Sequence, residues 1–177
     1  MKVLLVFVST LDGKVTKWGN PHVKIWSSQQ DQEYFKEIWN TSPLVIMGSN
    51  SFKAESFSLS SNQLFVVMTK HPSKYKQYEV PGKLEFTDKS PVALTQQFKI
   101  QGYETMLVAG GPHVATSFLK EQLIDELWLT LEPRIFGTGG NFAIDENLDI
   151  QLKLLTCEKV NEQGTLITKY SVMRTTN

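Results

Sequence analysis

The chain is short of several things, and each shortage narrows what it can be. It has one cysteine, Cys157, so no intramolecular disulfide can form and no cysteine cluster can hold a metal. Its three histidines, His22, His71 and His113, are far apart and show no ligand spacing. Only two of 18 basic residues are arginine, Arg134 and Arg174, and 18 acidic residues balance them to zero net charge. Without a basic tract, nucleic acid is excluded as the expected partner. No apolar run is long enough to span a membrane. The opening apolar run, Val3 to Val8, has no small-residue cleavage site and meets Asp12-Gly13 almost at once, so it reads as a first strand, not a signal peptide. A cytoplasmic protein of one domain over residues 1–177 is expected. Cys157 lies in a strand-like run and is expected as a small core residue.

What the chain does have is a series of apolar runs ending in glycine or polar turns. The most telling is Thr105-Met106-Leu107-Val108-Ala109-Gly110-Gly111-Pro112-His113-Val114. Val114, Ala115, Phe118, Leu119 and Leu123 follow at helical spacing, so this reads as a buried strand, a tight turn and a helix. Two glycines let backbone approach a ligand, and Pro112 suits the first helical position. The free N–H groups of a helix start favour an anion such as phosphate. The same pattern also fits a plain strand-to-helix turn in which glycine is punctuation.

Other runs follow the same scheme. Leu44–Met47 ends in Gly48-Ser49-Asn50-Ser51-Phe52, leading into a short helix, and Leu64–Met68 ends in Thr69-Lys70-His71-Pro72. Leu84–Thr87 is a short strand, and Pro91–Gln101 is a helix with Gly102 past its end. Residues 125–135 read as one long strand. Gln151–Val160 and Thr165–Met173 form a hairpin around Asn161-Glu162-Gln163-Gly164. Strands alternate with helices first and dominate at the end. The expected fold class is therefore α/β: a mixed, mainly parallel sheet with helices on both faces and an antiparallel C-terminal hairpin at one edge.

Between the first strand and the first helix, Trp18–Ile25 reads as a loop flanked by Trp18 and Trp26, which either cover a ligand or roof the core. Ser28-Gln29-Gln30-Asp31 resembles a capping box opening a helix to about Asn40. Asp31 shares a stripe with Phe35 and Ile38 at i+4 and i+7, which puts a carboxyl group on the core-facing side. It reads either as a partly buried acid of raised pKa, able to deliver a proton, or as the acid that completes the cap.

Five short motifs in this order resemble the dihydrofolate reductase superfamily over nearly the whole chain. They are Ser9-Thr10-Leu11-Asp12-Gly13, Val45-Ile46-Met47-Gly48, Gly110-Gly111-Pro112, Leu123-Ile124-Asp125-Glu126-Leu127 and Pro133-Arg134-Ile135-Phe136-Gly137-Thr138-Gly139. The closer branch is the reductase domain of bacterial riboflavin biosynthesis. The resemblance implies a three-layer α/β/α fold, NADPH as hydride donor and a homodimer. It implies that Gly48, Ser49 and Ser51 line the cofactor, that Gly110, Gly111 and Pro112 meet its pyrophosphate across an often cis peptide, and that Thr69, Lys70 and His71 read the 2′-phosphate. Asp31 matches the acid of dihydrofolate reductases, four residues before a Phe, and Thr130 matches its hydrogen-bond partner. Asp12, Trp26 and Phe35 are the candidates for substrate contact, and no metal is expected. The chain departs from the family twice. Ser49 stands where an Arg often grips phosphate, and Leu59-Ser60-Ser61-Asn62-Gln63 has no cation where folate reductases hold the glutamate tail. The implied activity is reduction of a 5-amino-6-(5-phosphoribosylamino)uracil-type substrate. Reduction of dihydrofolate or another pterin is a second possibility, and a non-catalytic nucleotide-binding homodimer a third.

Overall fold

The apolar runs beginning at Val3, Leu44, Leu64 and Thr105 lie side by side in the middle of one sheet. A computed structural model describes residues 1–54, 58–144 and 147–174. Its strands are β1 (Lys2–Thr10), β2 (Leu44–Gly48), β3 (Leu64–Met68), β4 (Leu84–Thr87), β5 (Thr105–Val108), β6 (Glu126–Glu132), β7 (Leu152–Lys159) and β8 (Leu166–Val172). Its helices are α1 (Gln29–Thr41), α2 (Ser49–Ala54), α3 (Pro91–Ile100) and α4 (Pro112–Lys120). The strand order is β4-β3-β2-β5-β1-β6-β8-β7. From β4 to β6 neighbours are parallel, and β8 and β7 close the edge antiparallel.

Alternation along the strands divides the core in two. Leu5, Val108, Ile46 and Val66 stand in one row across four strands and pack beneath α3 and α4, with Leu94, Phe98, Ala115 and Phe118. Leu4, Leu107, Val45 and Phe65 face the other way, towards Phe35, Ile38 and Trp39 of α1. This is the three-layer α/β/α arrangement of a dihydrofolate-reductase-like fold. Each fully buried Leu or Phe contributes about 1.5–3 kcal/mol, so these two clusters set the position of every strand end.

Four expectations need correction. The strand expected over 125–135 stops at Glu132, because Pro133 has no N–H to continue the ladder. The helix after Gly111 stops at Lys120, so Leu123 packs on the core from beyond the helix rather than from its stripe. Residues 72–78 form a 3-10 helix beginning at Pro72, where the sequence suggested only a turn, and Val23–Ile25 form a shorter one inside the Trp18–Ile25 loop. Cys157 is exposed, not a core residue. Every residue of β7 is exposed, because the strand pairs only with β8 and lies at the sheet edge. Among the described residues, no helix is long and apolar enough to cross a membrane.

Candidate active site

Three neighbouring strands, β3, β2 and β5, end together, and each ends in a segment expected to meet the cofactor. The Gly48 N–H donates to the Gly110 carbonyl at 3.0 Å, which ties the two glycine turns to each other. Gly110 has φ +104°, which favours glycine, and a Cβ there would meet the Phe7 ring at 3.3 Å. A Cβ on Gly48 would lie 3.2 Å from Val114 Cγ2, and one on Gly111 would lie 3.1 Å from Ser51 Oγ. The Gly110–Gly111 peptide is cis. Gly111 is the N-cap of α4 and no side chain caps that helix, so its first N–H groups are left for another acceptor. Ser49 and Ser51 form the first turn of α2. The Thr69 N–H donates to the Thr87 carbonyl at 2.8 Å and the Thr69 hydroxyl accepts from the His71 N–H at 3.3 Å. Lys70 and His71 are exposed at the end of β3. All nine residues expected at the cofactor thus share one edge of the sheet.

Two further residues at this edge escaped the sequence reading. Lys53, one turn along α2 from Ser49, hydrogen-bonds the Tyr75 hydroxyl and, with a lesser share from Ser49, holds it below the usual tyrosine value. The i, i+4 spacing of Ser49 and Lys53 was the available signal, but Tyr75 comes from the unforeseen 3-10 helix.

Asp31 sits on the opposite face, under α1. On β6 the side chains of Trp128, Thr130 and Glu132 alternate towards that helix. Tyr34 stacks on Trp128 with ring centroids 6.4 Å apart. Asp31 is only 5% exposed. Burial pushes its carboxyl up to about 6, against hydrogen bonds from Thr130 and Ser27 that favour the ionised form; the Glu132 carboxylate adds a smaller upward push. The Ser27 contact is a poor one, because the hydroxyl lacks a well-formed hydrogen bond. The Trp26 Nε1 and the Tyr34 hydroxyl are likewise buried without protein partners. Of these, Ser27 and Tyr34 lie close enough to Asp31 to interact with it electrostatically. An unmet buried polar group costs about 1–3 kcal/mol, which an ordered water can offset.

The two readings of Asp31 separate here. The Ser28 Oγ accepts from the Asp31 N–H at 3.3 Å, which is half of a capping box. The other half would be the Asp31 carboxylate accepting from the Ser28 N–H. Instead that N–H donates to Glu132 Oε1 at 2.7 Å. Glu132 performs the capping duty, and the Asp31 carboxyl turns to Thr130.

The substrate candidates differ in their surroundings. Trp26 is 2% exposed and packs edge-on against Phe136 at 5.2 Å, so it roofs the interior. Trp18 is 69% exposed and lies under Lys17 Nζ at 4.7 Å. Phe35 is half-buried against Trp39. Both oxygens of Asp12 are engaged: Oδ1 by the Thr10 hydroxyl at 2.5 Å and the Phe136 N–H at 3.2 Å, Oδ2 by the Gly137 N–H at 2.8 Å. Thr10 first, then these backbone groups, hold it below the usual carboxylate range. In this state Asp12 fastens the 136–137 loop to the end of β1.

Comparison with known proteins bears on the family and the fold. The family model described as the RibD C-terminal domain matches residues 1–166. The chain belongs to the RibD C-terminal domain family. A pyrimidine reductase-like protein of Corynebacterium diphtheriae superposes with a TM-score of 0.80 at 13% identity, covering 98% of this chain and 92% of that one. Dihydrofolate reductase of Enterococcus faecalis, in complex with NADP(H), gives 0.65 at 16% identity, covering 97% and 96%. An uncharacterized Bacillus subtilis protein, YwjB, is 24% identical over 145 residues, 78% of this chain and 80% of its own length. This RibD-type domain thus shares the fold of both proteins and belongs to a reductase family of the riboflavin pathway.

Proposed function

We propose that the chain is a cytoplasmic NADPH-dependent reductase that adds hydride to a C=N or C=O centre of a heterocyclic substrate, of the 5-amino-6-(5-phosphoribosylamino)uracil type. The observation that carries this is Asp31, a buried carboxyl raised to about 6, facing Thr130 of β6. A carboxyl in that range can hold and deliver a proton near neutral pH. Thr130 orients it by hydrogen bonding. The cofactor edge fits a dinucleotide. Side chains are missing where backbone must approach, and the uncapped start of α4 offers N–H groups to a pyrophosphate. Gly48, Gly110, Gly111 and Pro112 would shape that approach, Ser49 and Ser51 would line it, and Thr69, Lys70 and His71 would meet the 2′-phosphate. Bound NADPH supplies the hydride. The proton completing the reduction reaches the adjacent heteroatom from Asp31, directly or through water.

The Asp31–Thr130 pair also favours a second reading, reduction of dihydrofolate or another pterin, because these residues match the acid of dihydrofolate reductases and its hydrogen-bond partner. One experiment separates the readings. Nicotinamide fluorescence is titrated with NADPH and NADH, and cofactor oxidation is then followed with the uracil substrate and with dihydrofolate. Turnover with the uracil alone supports the first reading, and turnover with dihydrofolate alone the second. Binding without turnover supports a non-catalytic nucleotide-binding protein, and no binding rejects all three.

We further infer a homodimer formed through β7. This edge strand exposes Leu152, Leu154 and Leu155 and leaves one row of backbone groups unpaired.

A further inference from the structure

We propose that Glu132 is the positioning residue of this site: by bridging the Ser28 N–H and the Thr165 hydroxyl it fixes the first turn of α1, and with it Asp31, against β6 and β8. The proposal rests on the reading of Asp31 as the proton donor, and deepens it.

Glu132 is 2% exposed, yet among the described residues no cation touches it. Its oxygens accept from the Ser28 N–H at 2.7 Å and from Thr165 Oγ1 at 2.8 Å. Thr165 is fully buried, and its hydroxyl accepts in turn from Asn161 Nδ2 at 2.9 Å. Asn161 is itself fixed, because its Oδ1 accepts the N–H groups of Gly164 and Thr165 at 3.0 Å each. The same Nδ2 reaches Gln30 Oε1 at 3.2 Å. The turn of the β7–β8 hairpin is thereby latched to the first turn of α1 at two points. One is buried, through Glu132, and one is exposed, through Gln30.

A carboxylate buried beside another carboxyl is an expensive way to cap a helix. Asp31 stands three residues after Ser28 and could have capped the helix locally. Using Glu132 leaves the Asp31 carboxyl free for Thr130. It also places a fixed negative charge near Asp31, which favours its protonated form. The titratable groups facing Asp31 are Glu132 from β6 and Tyr34 from α1, while the flanking Ser27 and Thr130 are neutral. Arg134 borders the cleft formed with Ser28, Gln30 and Asn161, but is exposed.

The test uses the ligand-free full chain, with the Asp31 carboxyl followed by carbon-13 NMR against pH and the backbone amides of residues 28–31 by hydrogen exchange. Glu132→Gln keeps an acceptor for the Ser28 N–H but removes the charge. Asp31 should then ionise more readily, with its acid constant raised about threefold or more, and amide protection retained. Thr165→Val removes only the second anchor, and should speed exchange of the Ser28 amide and shift the Asp31 titration. An Asp31 titration unchanged in both variants would overturn the proposal, as would unchanged Ser28 exchange in Thr165→Val. If Glu132→Gln does not fold, Thr165→Val alone decides it. Neither readout needs cofactor or substrate. Failure of the reductase reading would appear instead as absent NADPH oxidation in the parent, with these two results intact.

Discussion

Gly111 lies so close to Ser51 that a Cβ on it would come within 3.1 Å of the serine oxygen. The contact joins the start of α4 to the first turn of α2, the two elements between which a dinucleotide would enter. Backbone conformation does not demand glycine here, since φ is −73° and ψ is −174°. Space does. Gly111→Val should therefore give a folded protein of somewhat lower stability that no longer binds NADPH, measured by nicotinamide fluorescence alongside thermal melting. Binding equal to the parent would show that no phosphate approaches this turn.

Lys70 is exposed at the end of β3, and Ser49 stands where the wider family often has arginine. If Lys70 reads the 2′-phosphate, Lys70→Ala should weaken NADPH about tenfold and leave NADH nearly unchanged. Equal effects on both cofactors would make it a solvated lysine in a turn.

The β7 edge predicts an assembly held by the exposed leucines and open backbone row of that strand. Leu154→Lys should put a charge on that edge and raise the monomer fraction in sedimentation. A parent that sediments as a monomer at micromolar concentration would end the idea.

How much of this could be read from the chain follows the range of the interactions. The strand ends were legible because a run such as Leu44–Met47 and the glycine closing it are neighbours in sequence. The cofactor edge then followed from stacking those ends. What was not legible depends on distant partners. Asp31 had two readings because Ser28 is three residues away, whereas the residue that decides between them, Glu132, is 104 residues from Ser28. Cys157 looked like core because its strand is apolar, and only the sheet order reveals an edge with nothing packed on it. Trp26 and Trp18 looked equivalent, yet one is buried against Phe136 and the other exposed.

The raised Asp31 carboxyl has a consequence for stability that is independent of catalysis. Its folded value, about 6, lies above an unfolded value near 3.9. The folded state therefore holds more protons between about pH 4 and pH 6, and the contribution is fully present below pH 4 and lost as pH rises through 6. Asp31→Asn removes that loss. The variant should melt higher than the parent at pH 8, by on the order of 2 kcal/mol after allowing for partial solvation, and the gain should vanish near pH 4. A variant less stable at pH 8 would mean that the carboxylate acts as a helix cap after all.

The same substitution tests the chemistry. Asn keeps the shape of Asp and can still accept from Thr130, but it holds no proton to give. If Asp31 delivers the proton, turnover should fall by about 10²–10⁴, the range typical of a positioned acid. NADPH affinity should barely move, because the cofactor edge is built from β2, β3 and β5 while Asp31 faces β6. The pH–rate profile of the parent should fall above about pH 6, where the Asp31 carboxyl gives up its proton. That ionisation should be missing from the variant. A structural role predicts the reverse: turnover within about threefold of the parent, the same pH profile, and a change only in melting temperature. Thr130→Val provides the cross-check. It removes a hydrogen bond that favours the ionised form, so the parent's ionisation should move to higher pH while the acid itself remains. Loss of activity in Asp31→Asn with no such movement in Thr130→Val would place the reacting proton on another group.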